Sequence, residues 1–142
     1  MKSQRLDNGT VLIFETGDEV VSTLTAFAKK HHIAAAHFTA IGAFSDAGLG
    51  YFDLQTKNYL KNQVNEQVEV VSLIGDIALD SGEPKVHAHV VIGKKNGAAM
   101  GGHLLEAHVH PTLELFLQDS GEQLKRKFDR ESGLALIDLG QK

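Results

Sequence analysis

The sequence predicts an α+β domain in which a mainly antiparallel, barrel-like β-sheet carries one main N-terminal helix. Three observations lead there. A single stretch, opened by Gly17-Asp18-Glu19, repeats apolar residues at helical spacing (Val20, Leu24, Phe27, Ala28). From Ile33 onward the pattern changes to short apolar, β-compatible segments separated by glycine-bearing turns, roughly eight to ten strands in all. The length of 142 residues, 42% of them hydrophobic, suits one core. A chain of about 150 residues buries roughly two thirds of its unfolded surface, so residues 1–142 are read as a single domain.

Taken in order, Asp7-Asn8-Gly9 signals a turn and Thr10–Glu15 a short strand buried on both sides. Asp18 is placed to cap the helix, and the basic end at Lys29-Lys30-His31 suits the negative pole of the helix dipole. His31 and His32 read as helix-end residues. Ala34–Ala43 and Ala47–Leu54 follow as β segments whose glycines mark bulges or close backbone approach. Asn58–Gln63 is polar enough for an edge strand, and Gln67–Ala78 is long and apolar. A turn at Asp80-Ser81-Gly82-Glu83-Pro84 leads to Val86–Gly93. His103–Val109 and Thr112–Gln118 come next, the first ending before Pro111. Leu124–Phe128 is of open type, and Gly133–Leu139 closes the chain as a strand.

Composition narrows the function classes. The 14 basic and 18 acidic residues leave a formal charge of −4, and only Arg5, Arg126 and Arg130 offer a guanidinium fork to phosphate. Such a surface is not built to neutralise a polyanion by charge. Lys94-Lys95 and Lys125-Arg126-Lys127 read as solvated surface. Without cysteine there is neither a disulfide framework nor a thiolate metal site, so a tightly held metal needs imidazole and carboxylate. No segment approaches the ~20 apolar residues of a membrane helix, and the N-terminus lacks the apolar run of a signal peptide. A soluble, cytoplasmic protein without a membrane partner is expected.

The chemistry concentrates in Val86–His103, which reads as a hairpin. Alternate residues of a strand share a face roughly 6.5 to 7 Å apart, so His87 and His89 point the same way. Asn96-Gly97 then turns the chain back toward His103. The register decides whether the third imidazole joins the pair. A two-residue loop pairs Lys95 with Ala98 and sets His103 opposite Val90, on the wrong face. A three-residue loop, Lys95-Asn96-Gly97 with Gly97 left-handed, pairs Lys94 with Ala98 and His89 with His103. A bulge at Gly101-Gly102 is the other way to restore the parity. With either, three imidazoles converge as the ligand set of a metal site that keeps a position open for water or substrate. His-x-His pairs also occur merely as half-buried polar positions on strands. The second pair, His108-Val109-His110, reads as a solvated turn or rim.

In Thr112–Gln118 the leucines take one face, and Glu114 shares the other with Thr112, Phe116 and Gln118. A carboxylate in so apolar a strand needs a partner. Glu114 is therefore the candidate catalytic residue, as a proton carrier, metal ligand or orienting group for a ligand histidine. An interface ion pair is the alternative.

Val70-Val71-Ser72-Leu73-Ile74-Gly75-Asp76-Ile77, His87-Ala88-His89, Gly101-Gly102-His103-Leu104 and Thr112-Leu113-Glu114-Leu115, in this order and spacing, resemble the PPC domain (plants and prokaryotes conserved, DUF296). Leu6-Asp7-Asn8-Gly9, Ala40-Ile41-Gly42-Ala43 and Leu49-Gly50-Tyr51-Phe52-Asp53 are similar to its earlier motifs, so the resemblance covers nearly the whole chain. It implies an α+β domain assembling as a homotrimer, in a superfamily that includes acetolactate decarboxylase. There a His-x-His and a downstream histidine bind zinc, which implies His87, His89 and His103 as zinc ligands, with another divalent metal as the alternative. Members are often labelled DNA-binding by similarity to plant proteins in which an AT-hook precedes the domain. This chain contains no Arg-Gly-Arg, the element that enters a narrow minor groove.

Three functions compete at this point. The first is a trimeric zinc protein with a small-molecule site, lyase- or hydrolase-like, in which the ion polarises a carbonyl or lowers the pKa of bound water to about 7 and Glu114 moves protons. The second is a non-catalytic assembly module in transcriptional control. Direct binding of nucleic acid is third.

Overall fold

A computed structural model describes residues 1–140. Among them are nine strands and one helix, in the order β1 (Lys2–Leu6), β2 (Gly9–Glu15), α1 (Val20–Lys30), β3 (Ala35–Asp53), β4 (Asn58–Val64), β5 (Val68–Asp80), β6 (Glu83–Gly93), β7 (Ala99–Asp119), β8 (Lys125–Asp129) and β9 (Leu134–Asp138). All strand pairs are antiparallel except a single parallel pairing, Leu79 with Lys125, that joins β8 to β5. The class expected from the sequence is the one observed: mostly β with one main helix. The pairings β3–β5, β5–β6, β6–β7 and β7–β3 form a partial ring. Phe38, Phe44, Leu49, Leu73, Ile92, Leu104 and Leu115 are buried in the core.

The helix places Val20, Leu24, Phe27 and Ala28 in the core, as their spacing requires. Its cap is not Asp18 but Glu19, whose carboxylate accepts from the amides of Val21 (3.1 Å) and Ser22 (2.6 Å). Asp18 is already committed: it accepts from the Glu15 amide at 2.9 Å and pairs with the N-terminal ammonium at 2.9 Å. The helix therefore begins one residue later.

β1 has no counterpart in the sequence reading, because its five exposed residues carry no apolar alternation. It is an edge strand held to β2 through the Asp7-Asn8 turn. β2 is buried on one face, through Thr10, Leu12 and Phe14, while Val11 and Ile13 are half exposed. The expectation of burial on both faces is thus corrected.

Pro111 does not end a strand, contrary to expectation, since β7 runs through it. Along this stretch β3 advances two residues, Gly42 to Phe44, while β7 advances four, Leu113 to Val109. Pro111 lies in the resulting bulge, where no ladder hydrogen bond is asked of its missing N–H. Gly42 lies against this bulge, and a Cβ there would collide with the Thr112 carbonyl. The Asp80–Pro84 turn narrows to Ser81-Gly82, both at positive φ (54° and 88°), so that Asp80 pairs with Glu83 and Pro84 belongs to β6. Among the described residues, no helix is long and apolar enough to cross a membrane.

Candidate metal centre

The β6–β7 loop adopts the three-residue form. The Lys94 amide donates to Ala98 O and the Gly97 amide to Lys94 O, each at 2.8 Å, and Gly97 is left-handed at φ 81°. Register then runs without interruption from Gly93 opposite Ala99 to His89 opposite His103. A bulge at Gly101-Gly102 is not needed. Those glycines serve close approach, since a Cβ on Gly102 would sit 2.8 Å from the Gly50 carbonyl oxygen of β3.

The three histidines meet as the parity argument requires. Each offers a ring nitrogen within 4.8 Å of the others. The His87 and His103 rings stack at 5.2 Å, and His89 stands edge-on to both, at 5.2 and 5.5 Å. His87 and His103 are half buried and His89 is exposed. Nδ1 of His103 is buried without a hydrogen-bond partner, and a buried polar atom left unmade costs about 1–3 kcal/mol. A divalent ion satisfies such an atom, so the donor set fits one.

Burial favours the unprotonated form of two of these imidazoles, His89 and His103. Burial lowers His103 to about 4, reinforced by His87, His89 and Lys85, and burial with His87 lowers His89. A stability effect follows. Above pH 6.5 His103 is neutral in both folded and unfolded chains. Between 6.5 and about 4 the unfolded chain takes up a proton that the folded one refuses. The metal-free protein should thus melt at progressively lower temperature as pH falls through this window, and His103→Gln should flatten the slope. An unchanged slope in thermal melts would refute this assignment.

The ordering of His87 comes from residues that sequence reading missed. Its Nδ1 lies 3.2 Å from Oδ2 of Asp76, directly opposite on β5, and the other oxygen of Asp76 pairs with Arg126. Burial pushes the Asp76 carboxyl up, and His87 and Arg126 more than offset it, so it stays below its ordinary value. The signal for Asp76 was present. A tight Ser81-Gly82 hairpin pairing Asp80 with Glu83 counts back to Asp76 opposite His87. Arg126, expected on the solvated surface with its lysine neighbours, is instead 6% exposed. In Lys125-Arg126-Lys127 the strand period of two turns Arg126 away from both lysines. Beside the trio lies a cleft of about 580 Å³, walled on one side by Tyr59, Lys85, His87 and His103 and on the other by Arg126, Phe128, Leu134 and Leu136 of the β8–β9 hairpin.

Glu114 is not brought to the imidazoles. It is exposed on β7 opposite Ile41 and lines a separate cleft of about 680 Å³ with Glu69, Val71 and Pro111. The row from His89 through Ile74 and Thr39 to Phe116 spans three strand spacings, roughly 14 Å of sheet, and Glu114 is two residues further along. Exposure removes the need for a charge partner on which its role was argued. His108 and His110 are exposed, as a rim reading requires; His108 pairs with Asp46 at 2.8 Å, which raises its pKa. His31 is the C-cap of α1.

Comparison with known proteins agrees with this fold. A profile of the Plants and Prokaryotes Conserved (PCC) domain matches residues 1–120. The crystal structure of a candidate DNA-binding protein from Bacteroides thetaiotaomicron superposes with a TM-score of 0.95 at 27% identity, covering 99% of this chain and 98% of that one. A metal-containing protein from Archaeoglobus fulgidus, AF0104, is 36% identical with a TM-score of 0.84, over 96% and 99% of the two chains. A Staphylococcus aureus protein similar to alpha-acetolactate decarboxylase shares the fold, at 12% identity and a TM-score of 0.55 over 84% of this chain and 56% of that one. A curated relative, the bifunctional protein GlmU of Synechococcus sp. (strain JA-3-3Ab), is 29% identical over 136 residues, 92% of this chain. The chain spans only 20% of that protein's length. With residues 1–120 matched by the domain profile, the chain belongs to the Plants and Prokaryotes Conserved family.

Proposed function

We propose that this protein binds zinc, or another divalent ion, through His87, His89 and His103, and takes a small molecule into the adjoining cleft. The observation that carries this reading is the convergence of three imidazoles on one face with the buried Nδ1 of His103 left unpartnered. The description of the similar A. fulgidus protein as metal-containing supports it. A bound ion in such a three-nitrogen cradle would supply Lewis acidity toward a carbonyl or acidify a water. The protein's own part is to favour the unprotonated form of His89 and His103, fix the His87 ring through Asp76 and shape the cleft.

Assembly as a homotrimer belongs to the same proposal. Ile41, Val71, Ile74 and Phe116 are all more than half exposed on the outside of the sheet, and an apolar face of this kind is suited to burial against copies of the chain. Glu114 lies on that face, so it would act as the acid–base residue only at the cradle of a neighbouring copy. Equilibrium dialysis of chelator-stripped protein against zinc tests the metal reading. One ion per chain is expected, and none at micromolar free zinc would reject it.

A DNA-binding or transcription-related module is the second reading, favoured by the description of the similar B. thetaiotaomicron protein. The formal charge of −4 weighs against it. Duplex titration at increasing salt distinguishes the two, because phosphate contacts give a steep salt dependence.

A further inference from the structure

We propose that Arg126, carried on the β8–β9 hairpin, is a positioning residue for the metal cradle: it sets the His87 ring through Asp76, and an ion in the cradle in turn fastens the hairpin. The inference rests on the metal reading and goes beyond it. The hairpin lies outside the residues 1–120 that the family profile matches, and its backbone attachment to the ring is slight. Leu79 N donates to Leu124 O at 2.8 Å, Leu124 N donates to Ala34 O at 3.2 Å, and Lys125 makes the one parallel pairing with Leu79. A further tie is Lys57 Nζ to Arg130 O at 2.6 Å.

Arg126 is the buried charge that reaches from this hairpin into the site. One terminal nitrogen pairs with Asp76, and the other donates to Ala135 O of β9 at 3.2 Å, so a single guanidinium ties both hairpin strands to β5. Its Nε is buried and unpartnered. Asp76, held between Arg126 and His87, accepts the proton on His87 Nδ1 and leaves Nε2 as the free donor. A carboxylate behind a ligand histidine fixes its tautomer and orientation, and loss of such a partner typically weakens metal binding 10–100-fold. Lysine cannot reproduce the fork. Linkage makes the effect reciprocal: if Arg126 strengthens ion binding, the ion strengthens the seating of Arg126.

The test is a chelator-competition titration with zinc on wild type, Arg126→Gln, Arg126→Lys and the hairpin control Lys127→Gln, beside limited trypsin digestion of the hairpin with and without zinc. Folding is checked by circular dichroism, and Asp76→Asn provides a second route to the same contact. Wild type and Lys127→Gln should bind equally. Arg126→Gln and Asp76→Asn should bind about 10–100-fold more weakly, Arg126→Lys should fall between, and zinc should slow hairpin cleavage only where Arg126 is intact. In long-range nitrogen–proton NMR spectra of the metal-free protein, the His87 ring should shift from one tautomer to a mixture in Arg126→Gln. Unchanged affinity and tautomer in Arg126→Gln, with wild type binding zinc, would overturn the positioning role alone. Absence of zinc binding by wild type would overturn the metal reading and this inference with it.

Discussion

His103→Ala is expected to weaken zinc binding at least ~100-fold while leaving the domain folded. Structural zinc sites contribute about 10–16 kcal/mol over four ligands, so one ligand accounts for about 3 kcal/mol, or roughly two orders of magnitude in affinity. His103 is the most informative of the three. It alone comes from β7, so it completes the cradle only because the Lys95-Asn96-Gly97 loop sets the register. It also carries the unpartnered buried nitrogen, whose removal relieves a cost in the metal-free state. The variant should therefore be no less stable than the parent in chelator and far weaker toward zinc. Calorimetric titration beside a chelator-treated thermal melt checks both halves. An affinity within a fewfold of the parent would remove His103 from the ligand set.

The largest stability effect should come from Phe38→Ala, at about 3–5 kcal/mol for an aromatic side chain deleted from a packed core. Phe38 is 1% exposed. It lies on β3 opposite Gly75 of β5, where a Cβ would collide with both the Phe38 ring and the His87 carbonyl. The ring thus fills the space that a glycine leaves, directly beneath the residue before Asp76. Little collapse is available to it, because the neighbouring backbone already touches it on that side. Denaturant unfolding at fixed protein concentration checks the value, since association shifts apparent stability. A loss below 1 kcal/mol would mean that Phe38 is not part of a close-packed core.

How much of this was legible in the sequence depends on the kind of signal. The helix and its buried face follow from spacing alone, and counting residues across the Asn-Gly turn narrows the β6–β7 register to a few forms, of which only a three-residue loop or a bulge brings His103 to the other two histidines. Those signals are local and periodic. What escaped was set by pairing at a distance. Asp76 and Arg126 are ordinary charged residues on strands 50 residues apart, and only the β5–β6 register and the landing of β8 beside Leu79 bring them to His87. β1 was invisible because an exposed edge strand needs no apolar alternation. Pro111 misled because a bulge in β7, set by the mismatch with β3, removes the conflict that proline usually raises. Glu114 shows that an apolar strand does not by itself imply burial, since the face that it occupies on β7 is open.

Whether His87, His89 and His103 hold one divalent ion can be read directly in a crystal. The most direct measurement is an anomalous difference map from crystals grown with zinc, recorded on both sides of the zinc absorption edge. A single peak per chain is expected, present only above the edge and bonded to one nitrogen of each histidine at about 2.0–2.1 Å. No peak among the three rings at full zinc supplementation, or a peak held by other residues, would contradict it.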